Sequence, residues 1–207
     1  TVGASDYFAL QQRIEGNNLA DLSFGAVGAS TFTVSFWVRS SLTGSFGFAL
    51  QNGGQTRSYA TTYTINSANT WEYKTITVAG DTSGTWATDN TTGLVLTWGL
   101  GVGSTYSIAA GSSWSTTSSP NGFGVSSTVQ LVQTNSATFY ITGFVSAVFS
   151  KTVSKHYNLR HIKHCCSDLV FQNRNASKSN FNDRPRDIGY WARLCWHRQH
   201  KFLRYCW

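Results

Sequence analysis

The sequence predicts an all-β fold, an antiparallel β-sandwich of the jelly-roll kind followed by an irregular basic C-terminal extension. Three observations carry that expectation. Apolar and polar residues alternate with a period of two in several stretches, as strands with one buried face require, because successive side chains leave opposite sides of a sheet. Short clusters of Gly, Asn and Ser separate these stretches and supply the positive φ values that tight turns need. Helical periodicity is confined to a single turn, and seven or more short strands with frequent turns pack best as two facing sheets.

Tyr7 to Glu15 is the first candidate strand, and Asn17 to Leu22 has room for one helical turn. Thr31 to Ser40 alternates most strictly, with Phe32, Val34, Phe36 and Val38 on one face against Thr, Ser, Trp37 and Arg39 on the other. Arg39 is expected to reach Glu15 or Asp21 in a structural ion pair, with a ligand-facing role as the alternative. Trp37 is expected as a core or inter-sheet aromatic, with a sugar platform as the alternative. Phe46 to Gln51 and Arg57 to Ile65 follow, then Trp71 to Val78, where Tyr73, Thr75 and Thr77 oppose Ile76 and Val78. Gly93 to Leu100 and Ala137 to Gly143 complete the set, with Phe144 to Phe149 able to prolong the last. Turns are expected at Asn52-Gly53-Gly54, at residues 66–69 and at residues 79–84.

Charge divides the chain in two. Residues 1–148 hold four basic and six acidic side chains, a net −2, whereas residues 149–207 hold twelve basic and three acidic ones, a net +9. All five His and all four Cys lie in the second part, and eighteen of the nineteen Gly in the first. The boundaries that follow are a β-sandwich module over 1–148 and an atypical Cys/His/Arg-rich tail over 149–207. The chain contains no Met and opens on Thr1-Val2-Gly3, which points to a piece of a longer protein. No apolar run approaches the roughly 18 residues of a membrane span, so no membrane partner is expected.

Five phrases go beyond composition: Tyr7 to Gly16; Ala20-Asp21-Leu22 followed by Val34 to Ser40; Tyr63-Thr64-Ile65-Asn66; Thr70-Trp71-Glu72; and Ala137 to Gly143. In this order and spacing they resemble a recurrent module of phage tail-fibre and minor structural proteins over residues 5–143, itself similar to galactose-binding-like jelly rolls of the carbohydrate-binding type. The resemblance implies a structural or receptor-facing role without enzymatic activity on the outside of a virion, hence extracellular. Its implied partners are other tail or fibre subunits, copies of itself, and host-surface glycan. A purely structural assembly domain is the alternative, and a glycan-degrading module a more remote one.

The chemistry-bearing residues agree with a binder. Residues 1–148 offer no His or Cys to activate a nucleophile. Glycoside cleavage needs two carboxyl groups flanking the scissile bond, and nothing marks such a pair among Glu15, Glu72 and the four Asp. Sugars stack their C–H faces on aromatic rings, so the loop aromatics Trp86, Tyr106 and Trp114 are the candidate carbohydrate contacts, with Asp81, Asp89, Asn90 and Asn121 supplying hydrogen bonds. The same rings also suit packing over a sandwich end or within a trimer contact. No cofactor is expected, though Asp81 or Asp89 has the oxygen donors of a structural Ca²⁺ ligand.

For the tail three readings stand. The abrupt change of composition after the Ile-Thr-Gly phrase fits an out-of-frame or poorly ordered segment. A genuine basic extension would touch nucleic acid or another virion subunit: six cations from Arg184 to Arg204, interleaved with aromatic rings, would suit nucleic acid, although no nucleic-acid motif supports that partner. His161 to Cys166 and Cys195 to His200 carry zinc-binding residue types, in a spacing that matches no finger.

Overall fold

The computed structural model describes residues 1–117, 122–126, 128–149, 163–165 and 169–172. The fold grows from the alternation in β2 (Thr31–Ser40), whose Phe32, Val34, Phe36 and Val38 are all within 1% of complete burial. β2 lies between β5 (Glu72–Val78) and β10 (Thr138–Phe149), both antiparallel to it. Two short segments, β11 (Lys163–Cys165) and β12 (Leu169–Gln172), pair with the other side of β10. The facing sheet has the order β1-β6-β3-β4-β8, built from β1 (Tyr7–Glu15), β6 (Thr92–Val102), β3 (Gly44–Asn52), β4 (Arg57–Ile65) and β8 (Ser115–Thr116). The chain changes sheet between β1 and β2, β2 and β3, β4 and β5, β5 and β6, and again before β10, so that the two antiparallel sheets form a sandwich. The tail assignments to nucleic acid and zinc, and the composition argument beyond Phe149, fall outside the described residues apart from β11 and β12.

Rings from both sheets interlock in the core. Phe36 stands edge-on to Tyr63 and Trp98 at 5.2 and 5.5 Å between centroids, and Phe46 lies 6.0 Å from Phe139. Each such ring taken out of water contributes roughly 2 kcal/mol. The predicted helical turn is two short 3₁₀ turns, Gly16–Asn18 and Ala20–Leu22, and the second buries Leu22 under the sandwich. A small parallel pair, β7 (Ser107–Ile108) with β9 (Gly124–Val125), closes against Gly47 and Val102.

Two glycines explain local shape. A Cβ on Gly53 would lie 1.8 Å from the Thr92 carbonyl oxygen, so the β3–β4 turn can approach the start of β6 only with glycine there. Gly143, at φ +59°, sits in a β-bulge of β10: Thr142 pairs with Trp37 and Val145 with Ser35, leaving Gly143 and Phe144 opposite Phe36 alone. The bulge brings Phe144 to within 5.6 Å of Trp98.

Candidate ligand-binding face

Because β2 turns Phe36 and Val38 inward, Trp37 and Arg39 must face out. This corrects the expectation for Trp37, which is 44% exposed on the outer surface of its sheet. Residues directly opposite on paired strands share a face. Trp37 stands opposite Tyr73 on β5 and Thr142 on β10, and Arg39 opposite Tyr140. The Trp37 and Tyr73 rings lie 5.4 Å apart, and Trp71, one residue before β5, reaches across to Tyr140 at 6.3 Å. Tyr73 and Trp71 are 55% and 42% exposed. Hydroxyls extend the surface along the strands, with Thr33 and Thr77 joined at 3.1 Å. The rings are inclined, by 51° between Trp37 and Tyr73 and 62° between Trp71 and Tyr140. Each exposed ring, bordered by hydroxyls, is therefore suited singly to stack on the C–H face of a sugar while the hydroxyls read its polar groups.

The platform is held by the turn between β4 and β5. Glu72 accepts the backbone N–H groups of Asn66 and Ser67, both at 2.8 Å, and the Lys74 ammonium at 2.6 Å. Lys74, with the two backbone N–H groups, lowers its carboxyl to a pKa of about 2. Asn69, at φ +57°, donates its N–H to the Ser40 carbonyl at 2.6 Å and accepts from Arg39 Nε at 2.9 Å. The Arg39 guanidinium also lies over the Tyr140 ring, 5.4 Å from its centre. Arg39 therefore serves the turn and a ring, and not Glu15 or Asp21 as expected. Glu15 instead accepts from the Asn18 amide at 2.9 Å.

The loop aromatics are placed differently. Trp86 and Trp114 do come together, perpendicular at 5.2 Å, but around Phe24, which stands edge-on to both. Their indole N–H groups donate to the carbonyls of Ser83 and Ala79 at 3.1 and 2.7 Å, so both rings are fixed as a cover over the core. Tyr106 joins a separate group of rings with Tyr7 and Phe123. Asp89 and Asn90 are exposed, and Asp89 accepts the Thr91 hydroxyl and N–H, the hydroxyl first among the contacts that lower its pKa. Of the seven residues named from the sequence as carbohydrate contacts, Trp86 and Trp114 thus pack together, Tyr106 belongs to another ring group, Asp89 and Asn90 lie exposed, Asp81 is held by Arg57, and Asn121 lies outside the described residues. Beside Trp86 runs a groove of about 430 Å³, bounded by the Gly53-Gly54 turn and by Thr56, Thr85, Thr91 and Thr92. Its most buried polar group, Asn52, is saturated, accepting from Thr56 and Arg57 N–H and donating to Thr56 Oγ1 and the Thr85 carbonyl.

The alternative of Asp81 as a calcium ligand is also corrected. Both its oxygens receive the Arg57 guanidinium, at 2.7 and 2.8 Å, so a cation already occupies that carboxylate. Among the described residues no three His, Cys, Asp or Glu side chains gather as a metal site. The signal for the outer face lies in the sequence: strict alternation around Phe36 assigns Trp37 to the opposite side, and the alternation of β5 sets Tyr73 against Ile76 and Val78.

No protein-family model matches the chain, and no curated protein or solved structure matches it significantly.

Proposed function

We propose that this chain is a non-enzymatic module that holds carbohydrate on the outer face of β5, β2 and β10, and that it serves as a receptor-facing part of a phage tail or fibre. The observation that carries the binding role is the exposure of Trp37, Trp71 and Tyr73 side by side on one sheet face. Large rings left in water on neighbouring positions mark interaction surfaces, and single scattered ones do not. Thr and Ser hydroxyls at the border supply polar contacts without charge. The phage setting, with other tail subunits or further copies as neighbours on the virion, rests on the five sequence phrases.

Affinity electrophoresis of the full chain through gels containing bacterial surface polysaccharides tests the reading. Retardation by at least one polysaccharide, abolished in Trp37→Ala/Tyr73→Ala, is the expected outcome. Equal mobility of both proteins in every gel would overturn it. Concentration-dependent dimers that the double variant prevents would assign the face to assembly instead.

A further inference from the structure

Building on the carbohydrate reading, we infer that the ligand is an acidic saccharide and that Arg39 is the residue that reads its carboxylate. Among the described side chains on the outer face of β5, β2 and β10, Arg39 carries the one charge. The carboxylate nearest in sequence to the platform, Glu72, belongs to the opposite set of alternating β5 positions and is held by Lys74, Asn66 and Ser67. The face is therefore complementary to an anion wherever a ligand lies on its rings.

The guanidinium is also oriented in advance. Nε is committed to the Asn69 carbonyl at 2.9 Å, and the Tyr140 ring supports the group at 5.4 Å. Trp71, which meets Tyr140 across β2, flanks the same position. The terminal Nη groups have no hydrogen-bond partner among the described residues. An arginine tethered through Nε keeps its outer edge for a carboxylate, which two parallel N–H groups bind in a fixed plane. Because the tether costs the side chain its freedom before any ligand arrives, less entropy is lost on binding. Trp37 lies two residues along β2, about 7 Å away, with Tyr73 opposite it on β5, so one sugar ring can stack while a neighbouring unit offers its carboxylate.

The test compares each acidic polysaccharide with its own carboxyl-reduced form, which keeps ring and linkage and removes the charge. Polygalacturonate, alginate, hyaluronate and polysialate are titrated calorimetrically into the full chain, Arg39→Lys, Arg39→Gln and Trp37→Ala, each checked for folding by circular dichroism. At least one acid is expected to bind about tenfold more tightly than its reduced form, as one charge-assisted forked contact predicts. Arg39→Gln should erase that preference, bringing acid and reduced form to equal affinity. Arg39→Lys should retain only part of it and show a similar decline with salt. Trp37→Ala should weaken acid and reduced form alike. Equal affinity for the two forms, with loss of both in Trp37→Ala, would overturn the role of Arg39 and leave the carbohydrate platform standing. An acid preference that survives in Arg39→Gln would likewise overturn it. Absence of binding to every acid and every reduced form would remove both conclusions together.

Discussion

Arg57 and Asp81 meet as a two-pronged ion pair, Nε to Oδ2 at 2.7 Å and Nη2 to Oδ1 at 2.8 Å, joining the start of β4 to the loop after β5. Asp81 is 2% exposed, its carbonyl accepts the Gly25 N–H at 2.7 Å, and Arg57 reaches on to the Thr116 hydroxyl at 2.9 Å. The loop after β5, the loop that carries Gly25 and strand β8 thus meet around one pair. Asp81→Ala leaves the guanidinium unpaired in a mostly buried position and should cost about 3 kcal/mol in urea unfolding. A loss below about 1 kcal/mol would show that the pair only decorates the loops.

The outer face and the core should respond oppositely to truncation. Trp37→Ala and Tyr73→Ala remove rings that are about half exposed, and each should change stability by less than about 1 kcal/mol. Phe36→Ala, one residue away and fully buried, should cost about 3 to 5 kcal/mol. Thermal melts of the three variants decide the matter: a Trp37→Ala loss as large as that of Phe36→Ala would mean that the face is part of the core.

Glu72 makes stability depend on acid. Its pKa is about 2 in the fold, where Lys74 and two backbone N–H groups hold the charged form, against about 4.3 in an unfolded chain. The unfolded chain therefore takes up the proton first, so this stabilisation is complete above about pH 5 and is lost as pH falls from about 4 toward 2. Glu72→Gln should flatten the acid limb of a stability–pH curve over that window. An unchanged slope would exclude this carboxylate as the source.

Tyr63 buries its hydroxyl in the core beside Phe36 and Phe46 with no hydrogen-bond partner among the described residues. Desolvation raises its pKa strongly. An unpaired buried hydroxyl costs free energy that a C–H does not. Tyr63→Phe should thus be neutral or up to about 1 kcal/mol more stable, measured by chemical denaturation. A clear loss would reveal a hydrogen bond that this geometry lacks.

The long strands were legible because one buried face leaves a period of two. β1 and β4 run over the expected Tyr7–Glu15 and Arg57–Ile65, and β2 buries the four residues its alternation names. β7, β8 and β9 were not legible, since two residues cannot display a period. Among the functional residues, Arg39 misled because its main partner is a backbone carbonyl thirty positions away, and carbonyl acceptors leave no trace in side-chain identity. Trp86 and Trp114 follow the packing alternative that the sequence also offered, and what the sequence does not display is their partner, since Phe24 supplies a hydrophobic seat for both from a distant part of the chain.

The bulge at Gly143 bears on how a chain of this kind can change its length. Removing Gly143 would leave Thr142 opposite Trp37 and Val145 opposite Ser35, with Phe144 still opposite Phe36, so neither half of β10 would have to turn over. Removing Ile141 instead, with Thr142 held opposite Trp37, would bring Tyr140 opposite Val38 and send its ring from solvent toward the core. A deletion is thus absorbed at one point of this strand and reverses inside and outside a short distance away, so the aromatic face can outlast drift in length provided that the drift falls at the glycine.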